Sequence, residues 1–385
     1  MKFRKFLGKS VSYILVAVLA SSVTIALWGQ RYSKLDQLKS IIEKHFIGQA
    51  DMGKAEDAAA AAMVMALGDR WSYYISAEDY ADYLENKNNA YVGIGITITA
   101  REDGAGVDIQ EVTPGSSAQE AGILPGDIII EAEGQSTAGM TTDQLKDIVR
   151  GEAGTQVSLT VLRGEEKMLF FVQRREIKVT VAAGELLPDN IGYIRIANFN
   201  TNCAKETIAQ IESLRDKGAD KFIFDVRNNP GGYVAEMIEV LDYLLPEGVL
   251  YRDLDYLGNE GEEKSDAACL ELPMAVLVNG NSYSAAEFFA ACLHEFDWAT
   301  VVGEQTTGKG HYQNAIQLSD GSAVNLSTGK YFTPSGTNLT EAGGLTPDVV
   351  VEVDKETAAL IQAQAIPLTE DVQVQMAMES VMKNQ

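Results

Sequence analysis

The sequence predicts a multidomain chain, β-rich in its middle and α/β in its C-terminal half. Three observations carry that expectation. From Asn190 onwards, apolar β-branched runs alternate with helical runs, as in a sheet with crossover helices. Between Tyr91 and Arg163, short strand-like runs are separated by Gly and Pro turns. From Tyr32 to about Asn88, apolar residues recur at helical spacing. At 385 residues the chain has room for more than one full hydrophobic core.

Composition excludes several functions. A formal charge of −24 with no Lys/Arg-rich block argues against a nucleic-acid surface. Cys203, Cys269 and Cys292 are too few and too scattered for a disulfide framework or a thiolate metal site. His45, His294 and His311 lack metal-ligand spacing, so no metal and no other cofactor is expected. At the N-terminus, Lys2, Arg4, Lys5 and Lys9 precede an uncharged span from Ser10 to Gln30. Its length suits one bilayer crossing, with the basic flank cytoplasmic and the rest of the chain outside. A cleaved signal peptide is the rival, but the span is long for one and ends in Leu27-Trp28-Gly29 rather than a small-x-small site. The expected location is therefore the cell membrane, single-pass, with the chain after the span extracytoplasmic.

Taken in order, residues 1–30 form the basic stub and anchor, and residues 31–88 a helical segment. In that segment Leu35, Leu38, Ile41, Ile42 and Phe46 mark one helix and Ala55 to Leu67 a second. Gly68-Asp69 breaks the pattern, and Ser76 caps a third helix with Asp79 three residues on. Residues 89–175 change period: Tyr91 to Ile98 alternates small and β-branched residues, and strands follow at Val107 to Val112, Ile128 to Ala132 and Val157 to Arg163. A helix from Thr142 to Val149 completes the module. Residues 176–355 are the α/β core, with strands at Ile191, Lys221, Ala275 and Thr300 and helices from Cys203, Tyr233 and Ala285. Leu250 to Leu272 reads as an acidic hairpin or loop, and strands flank the turn Ser319-Asp320-Gly321. Residues 356–385 are a helical tail.

Chemistry concentrates in three loops. Val276 to Val278 runs into Asn279-Gly280-Asn281-Ser282-Tyr283-Ser284 and then an alanine-rich helix. A serine at such a junction sits beside free N–H groups at the positive end of the helix dipole, where acyl transfer needs its nucleophile. The plain alternative is an N-cap. Arg227-Asn228-Asn229-Pro230-Gly231-Gly232 leaves a buried strand and brings backbone N–H groups close through two glycines. Gly303 to Gly310 nearly spells a phosphate-binding loop, but Gly310 replaces the metal-binding hydroxyl and extended chain follows instead of a helix. A lysine between two glycines, Lys309, can instead thread its amine inward, where desolvation lowers its pKa towards neutrality. Such an amine can take a serine's proton. An ordinary surface charge is the alternative for a lone lysine.

The β-rich module resembles a bacterial PDZ domain. That resemblance implies that the backbone from Tyr91 through Val92, Gly93, Ile94 and Gly95 receives a peptide's C-terminal carboxylate, and that the strand from Ile94, with Ile96 in it, adds the peptide to the sheet edge. Beyond it, Leu67-Gly68-Asp69, Ile191 to Ile196, Arg227 to Gly232, Asn279 to Glu287, Gly308-Lys309-Gly310 with Gln313, Tyr331 to Gly336 and Thr346-Pro347-Asp348 together resemble the carboxyl-terminal processing, or tail-specific, protease family. The resemblance implies a crotonase-like α/β serine protease core with Ser284 as nucleophile, Lys309 as general base and Gln313 orienting the lysine. Gly231 or Gly232, with Ala285, would supply the oxyanion hole. The implied partners are proteins or peptides with accessible C-termini, and an oligomer stays open. Tyr283 departs from the family's alternating Ser and Ala and would narrow the mouth of the site. Glu287, one turn beyond Ser284, reads as support for the base or as a structural salt bridge. If Lys309 to Gln313 is extended, His311 shares a face with both, and acid would depress activity more steeply with it than without it. The competing class is a catalytically inactive PDZ peptide-binding scaffold. An acyl-CoA hydrolase on the same fold is disfavoured for an exported chain.

Overall fold

The computed structural model describes residues 33–383, so the expected membrane span lies outside the described residues. Among the described residues no helix is long and apolar enough to cross a membrane. The chain divides into two compact units at Tyr74 and Ile75, within the segment read from sequence as one helical stretch.

The first unit holds α1 (Ser33–His45) and α2 (Met52–Met65). Asp51 caps α2 by accepting from the Lys54 N–H, which satisfies one of the donors a helix start leaves open. Lys39 pairs with Glu56, and Tyr74 Oη donates to Asp57 at 2.7 Å. A short strand, β1 (Tyr73–Ile75), spans the divide.

The second unit opens with α3 (Ala77–Asn88), capped by Ser76 on the Asp79 N–H as the sequence suggested. Next come β2 (Ala90–Gly93), β3 (Ile96–Ala100), β4 (Val107–Val112), α4 (Ser117–Ala121), β5 (Ile128–Ala132), β6 (Gln135–Ser136), α5 (Thr142–Val149), β7 (Gln156–Arg163), β8 (Glu166–Gln173) and β9 (Arg175–Lys178). These strands pair in the order β3-β4-β5-β7-β8, and β2 pairs separately with β9. The sheet encloses its own core of Ile94, Ile109, Ile129, Leu145, Leu159 and Val161. Gln144 completes a capping box with Thr141 at the start of α5.

The α/β core contains β10 (Ala182–Leu187), β11 (Ile191–Ile196), α6 (Cys203–Asp216), β12 (Lys221–Asp225) and α7 (Val234–Leu244). It continues through the hairpin β13 (Gly248–Asp255) and β14 (Glu260–Ser265), then β15 (Met274–Val278), α8 (Ala285–Glu295) and β16 (Ala299–Gly303). β17 (His311–Gln317), β18 (Ala323–Phe332), α9 (Leu339–Ala342), β19 (Val349–Val350), α10 (Lys355–Gln362) and α11 (Val372–Lys383) end the described chain. The central sheet runs β10-β11-β12-β15-β16-β19, antiparallel only at the β10 edge. Its β12 and β15 strands are buried at every residue because both faces are covered. One face packs on α6, α7 and α8, where Phe289 meets Phe224 edge-on and Phe199 at a tilt. The other packs Ile223, Ala275 and Leu277 against Val374, Ala377 and Val381 of α11. All parallel strands therefore present their C-terminal ends together, where crevices between loops form in such sheets.

Candidate active site

Three loops leave those strand ends and are laced to one another. After β12, Ser282 Oγ donates to the Val226 carbonyl at 2.7 Å and accepts from the Asn279 N–H at 3.0 Å. Asn228 N–H donates to Asn279 Oδ1, while Asn228 Oδ1 accepts from Asn279 and Asn281 at 3.1 and 3.0 Å. The loop after β16 joins the same group, with Thr307 Oγ1 donating to the Gly280 carbonyl at 2.7 Å. Ser282 is fully buried and spends its hydroxyl holding the loop after β12 to the turn after β15.

Ser284 behaves differently. It occupies the N-cap position of α8 at φ 58° and ψ −127° with no side-chain capping bond. A non-glycine residue at positive φ is strained, and such strain is retained where the surroundings impose it, often at reactive positions. The helix starts without using the serine oxygen as its cap. Gly231 lies against it: a Cβ at Gly231 would fall 2.8 Å from both Ser284 Cβ and the Ala285 nitrogen, and the residue has φ 88°. Gly232 sits closer still to Phe199, where a Cβ would fall 2.1 Å from the Phe199 carbonyl carbon and the two segments form a parallel bridge. The Gly231 N–H donates to Asn229 Oδ1 at 2.8 Å in this conformation.

Lys309 and Ser284 are both half-buried. The Lys309 amine lies 5.8 Å from the centre of the Tyr283 ring, so the bulky residue at the family's small position covers the lysine. The aromatic face favours the charged amine. Glu287 engages the backbone of the Lys309 loop. It is fully buried and accepts from the Gly308 N–H at 2.7 Å, the Lys309 N–H at 2.9 Å and the Thr306 hydroxyl. Burial pushes its pKa up against the pull of those donors. Thr340 accepts from the Gly310 N–H at 2.7 Å and donates to the Gly308 carbonyl at 3.1 Å. The peptide groups around Lys309 are thus held from two sides.

Extended chain begins only at His311, and the register of β17 on β18 slips between Tyr312 and Gln313. Simple alternation is therefore not what relates Lys309 to Gln313. Gln313 Nε2 donates to the His311 carbonyl at 3.0 Å and Ser327 Oγ at 3.1 Å, which leaves Oε1 as the acceptor. His311 Nδ1 lies 3.5 Å from Thr340 Oγ1, beside the clamp rather than in a metal site. No group of metal-ligating side chains occurs among the described residues.

The PDZ-like residues are placed as a continuous strap. Tyr91, Val92 and Gly93 lie on β2, Ile94 is buried, and Gly95 at φ 81° packs on Ser116. The carbonyls of Ile94 and Gly95 accept from Ala118 and Thr113, and Ile96 opens β3, the edge strand. Arg163 grips buried Asp127 through Nε and Nη2, each at 2.7 Å. Arg150, at the end of α5, pairs with Asp82 of α3 at 2.7 Å and lies over the Tyr91 ring. Asn89, following α3, exchanges hydrogen bonds with Asn198 at 3.1 Å.

Sequence reasoning missed the clamp. Thr340 carries no local signal, since its partners Gly308 and Gly310 lie two strands away in the chain, and Asn338 shows locally only as the N-cap of α9. Tyr331 stood in a family motif without an assigned role, yet its hydroxyl donates to the Lys309 carbonyl.

A helix-mouth serine, a glycine-flanked lysine and a PDZ-like sheet define a serine-type peptidase joined to a peptide-binding module. Comparison with known proteins gives the same class. The Peptidase family S41 model matches residues 190–351, and the PDZ domain model matches residues 109–163. The chain is 32% identical over 359 residues to the carboxy-terminal processing protease CtpA of Bacillus subtilis strain 168, covering 88% of this chain and 76% of that protein. It is 32% identical over 324 residues to the carboxyl-terminal-processing protease of Synechocystis sp., covering 82% and 74%. A solved Bacteroides fragilis chain shares the fold at TM-score 0.53 and 16% identity, covering 84% of this chain and 90% of that one. The chain belongs to peptidase family S41, the carboxy-terminal processing proteases.

Proposed function

We propose that this protein is a membrane-anchored serine endopeptidase that cleaves proteins presented by their C-terminal tails, using a Ser284–Lys309 dyad on a crotonase-like core. The observation that carries the reading is Ser284 at the head of α8, held at positive φ with its hydroxyl uncommitted to capping. In this mechanism Ser284 Oγ attacks the scissile carbonyl and its proton passes to neutral Lys309 Nζ. The Tyr283 ring shields the amine and favours the ammonium that forms. Collapse of the tetrahedral species breaks the C–N bond, and the ammonium returns the proton to the leaving amine. Water then releases the acyl group, with Lys309 again as base.

Gln313 Oε1 takes a Lys309 N–H and orients the amine. The Ala285 N–H, with Gly231 or Gly232, receives the oxyanion. For Gly231 this requires its N–H to leave Asn229, so substrate entry completes the site. The strap from Tyr91 to Ile96 binds the tail carboxylate and adds the peptide to β3. The bonds from Asn89 to Asn198 give the module a route to the loop that contacts Gly231, and through it the module feeds or gates the site. The span from Ser10 to Gln30 anchors the chain with this machinery outside the cytoplasm.

Casein incubated with wild type, Ser284→Ala and Lys309→Ala tests the dyad. Both variants are expected to lose cleavage, and cleavage surviving both changes overturns the assignment. Membrane fractions washed with alkaline carbonate test the anchor: the full chain stays with lipid and a chain lacking residues 1–30 does not.

A further inference from the structure

We propose that the cleft between β10, β11 and the chain leading into α11 binds the carboxylate of an apolar molecule, with Arg195 as its counter-ion. This site is separate from Ser284 and Lys309, and the proposal does not rest on the dyad.

The cleft has a volume of about 440 Å³, within the size range of small-ligand sites. It follows from the pleat of β11. Ile191 and Tyr193 belong to the core that α11 covers, so Arg195, two residues further on, leaves the strand on the same face. Its neighbours across the sheet are Ala183 of β10 and Asp225 of β12. Ala183 is too small to fill the space beside a guanidinium. The opposite wall is the end of α10 and the segment after it, which contributes Ile361, Ile366, Pro367 and Leu368.

Within this cleft the guanidinium carries a charge that the protein does not answer. Arg195 Nη1 is buried, and among the described residues no acceptor meets it. A buried donor left unpaired is costly and rare. The carboxylates that line the same cleft are engaged elsewhere. Asp225 accepts from Tyr193 Oη at 2.6 Å and from Arg227 Nε and Nη2. Asp371 accepts from Arg227 Nη1 at 2.8 Å and from the Gln373 N–H at 2.9 Å. Arg227 thus matches two carboxylates with all three of its nitrogens and leaves none for Arg195. Glu185, opposite Tyr193 on β10, stands exposed at the rim, where solvent screens it.

Water in the cleft could accept from Nη1, but it brings no negative charge to the cation. A carboxylate supplies both, and its two oxygens match the planar fork of a guanidinium. The apolar wall opposite then takes the body of the molecule. A peptide end with an apolar side chain and a small free acid share this chemistry.

The probe is N-acetyl-photoleucine, whose diazirine inserts into neighbouring bonds on irradiation, applied to the full chain in detergent and to its Ser284→Ala form. Labelled segments are mapped by mass spectrometry. The expected result is label within residues 361–368 of both proteins. N-acetyl-leucine should block it at a concentration about 10- to 100-fold lower than N-acetyl-leucinamide, the scale of a hydrogen bond between charged groups. Arg195→Gln, which removes the charge, should bring the two competitors within about twofold of each other. If that variant does not fold, the preference of the wild-type chain for acid over amide is the deciding measurement. A pentapeptide ending in leucine is the third competitor. Equal protection by it assigns the natural ligand to a peptide end, and protection by N-acetyl-leucine alone assigns it to a free acid; either supports the site. Three results overturn it: label confined to residues 91–98, which places the acid in the tail-binding strap; label that Ser284→Ala abolishes, which places it in the active site; and label at 361–368 that the amide blocks as well as the acid.

Discussion

At the scale of single residues, the site depends on backbone positions that admit no substitute. A methyl group at Gly231 would meet the Ala285 nitrogen and Ser284 Cβ at 2.8 Å, on a backbone at φ 88°. The conformational penalty alone is roughly 1–2 kcal/mol, before any clash. Gly231→Ala is therefore expected to abolish fluorophosphonate labelling of Ser284 while the far-ultraviolet circular dichroism stays native. Labelling at the wild-type rate would show that this loop does not abut the nucleophile. Glu287 makes a second case. Its two oxygens receive three donors, and the amide of Glu287→Gln would turn an NH₂ towards one of them. Leaving such a buried donor opposed costs about 1–3 kcal/mol, visible in urea unfolding. The pH dependence has a definite sign. Burial, the largest influence on this carboxyl, raises the folded pKa above the unfolded one, so folding favours the protonated acid. This group then contributes more stability as pH falls from neutral towards the unfolded carboxyl pKa, near 4.3. Subtracting the Gln variant's unfolding free energies from those of wild type, pH by pH, should expose that slope. A difference that stays flat between pH 7 and 4.5 would mean that the carboxyl titrates alike in both states.

Whole elements are held by charge as well as by apolar contact. Arg227, at the end of β12, pairs with Asp225 at 2.5 Å and Asp371 at 2.8 Å, and donates to Gln373 at 2.8 Å. Tyr193 closes the group from β11 by donating to Asp225 at 2.6 Å. The cluster ties the start of α11 to the loop that carries Gly231. Burial pushes the Asp225 carboxyl up, and Arg227 more than reverses this, holding it below its usual range. Arg227→Ala leaves two buried carboxylates without their cation, at a cost of about 3–5 kcal/mol near neutral pH. Acid should then narrow the gap between variant and wild type, because protonation removes the unpaired charges from the variant. In wild type, the depressed pKa means that the same cluster is stabilising above the unfolded carboxyl pKa and is lost as pH falls through the folded one. Urea midpoints at pH 7 and pH 4.5 decide the matter, and a gap that widens in acid would contradict it. Such a network is invisible in sequence, since Asp371 and Gln373 approach Arg227 only after the sheet forms. By contrast β11, β12, β15 and α5 were legible, because uninterrupted β-branched runs or a capped amphipathic pattern leave few alternatives. The strand β8 was not, since its apolar run Met168 to Val172 is continuous, without the polar alternation that would mark its exposed face. Among the site residues, the serine and lysine announced themselves through their glycine and helix-junction settings. Tyr331, Asn338 and Thr340 did not, because what they do depends on partners brought to them by the fold.

At the scale of the whole molecule the dominant quantity is charge. A chain at −24 carries an extended negative potential, and that field acts on substrates before any pocket does. An unfolded tail approaches through solvent, so its own charge should set how often it arrives, while the Ser284 chemistry afterwards is shared by all tails. The expected signature is a difference in kcat/KM with little difference in kcat. Two fluorogenic peptides with the same scissile segment and free C-terminus, one carrying added lysines and one added glutamates, measure it. At low salt the lysine peptide should exceed the glutamate peptide by on the order of tenfold in kcat/KM, the lower end of steering effects. Raising salt from 0.1 M to 1 M shortens the screening length from about 10 Å to about 3 Å, and the two values should converge. Amidating the C-terminus of both peptides separates this long-range effect from recognition of the carboxylate by the Tyr91 to Ile96 strap. If the strap reads that group, amidation lowers kcat/KM for both peptides by the same factor at every salt concentration, whereas the charge effect alone fades. A preference for the lysine peptide that persists undiminished at 1 M salt would place the discrimination in a short-range pocket and remove steering from the account.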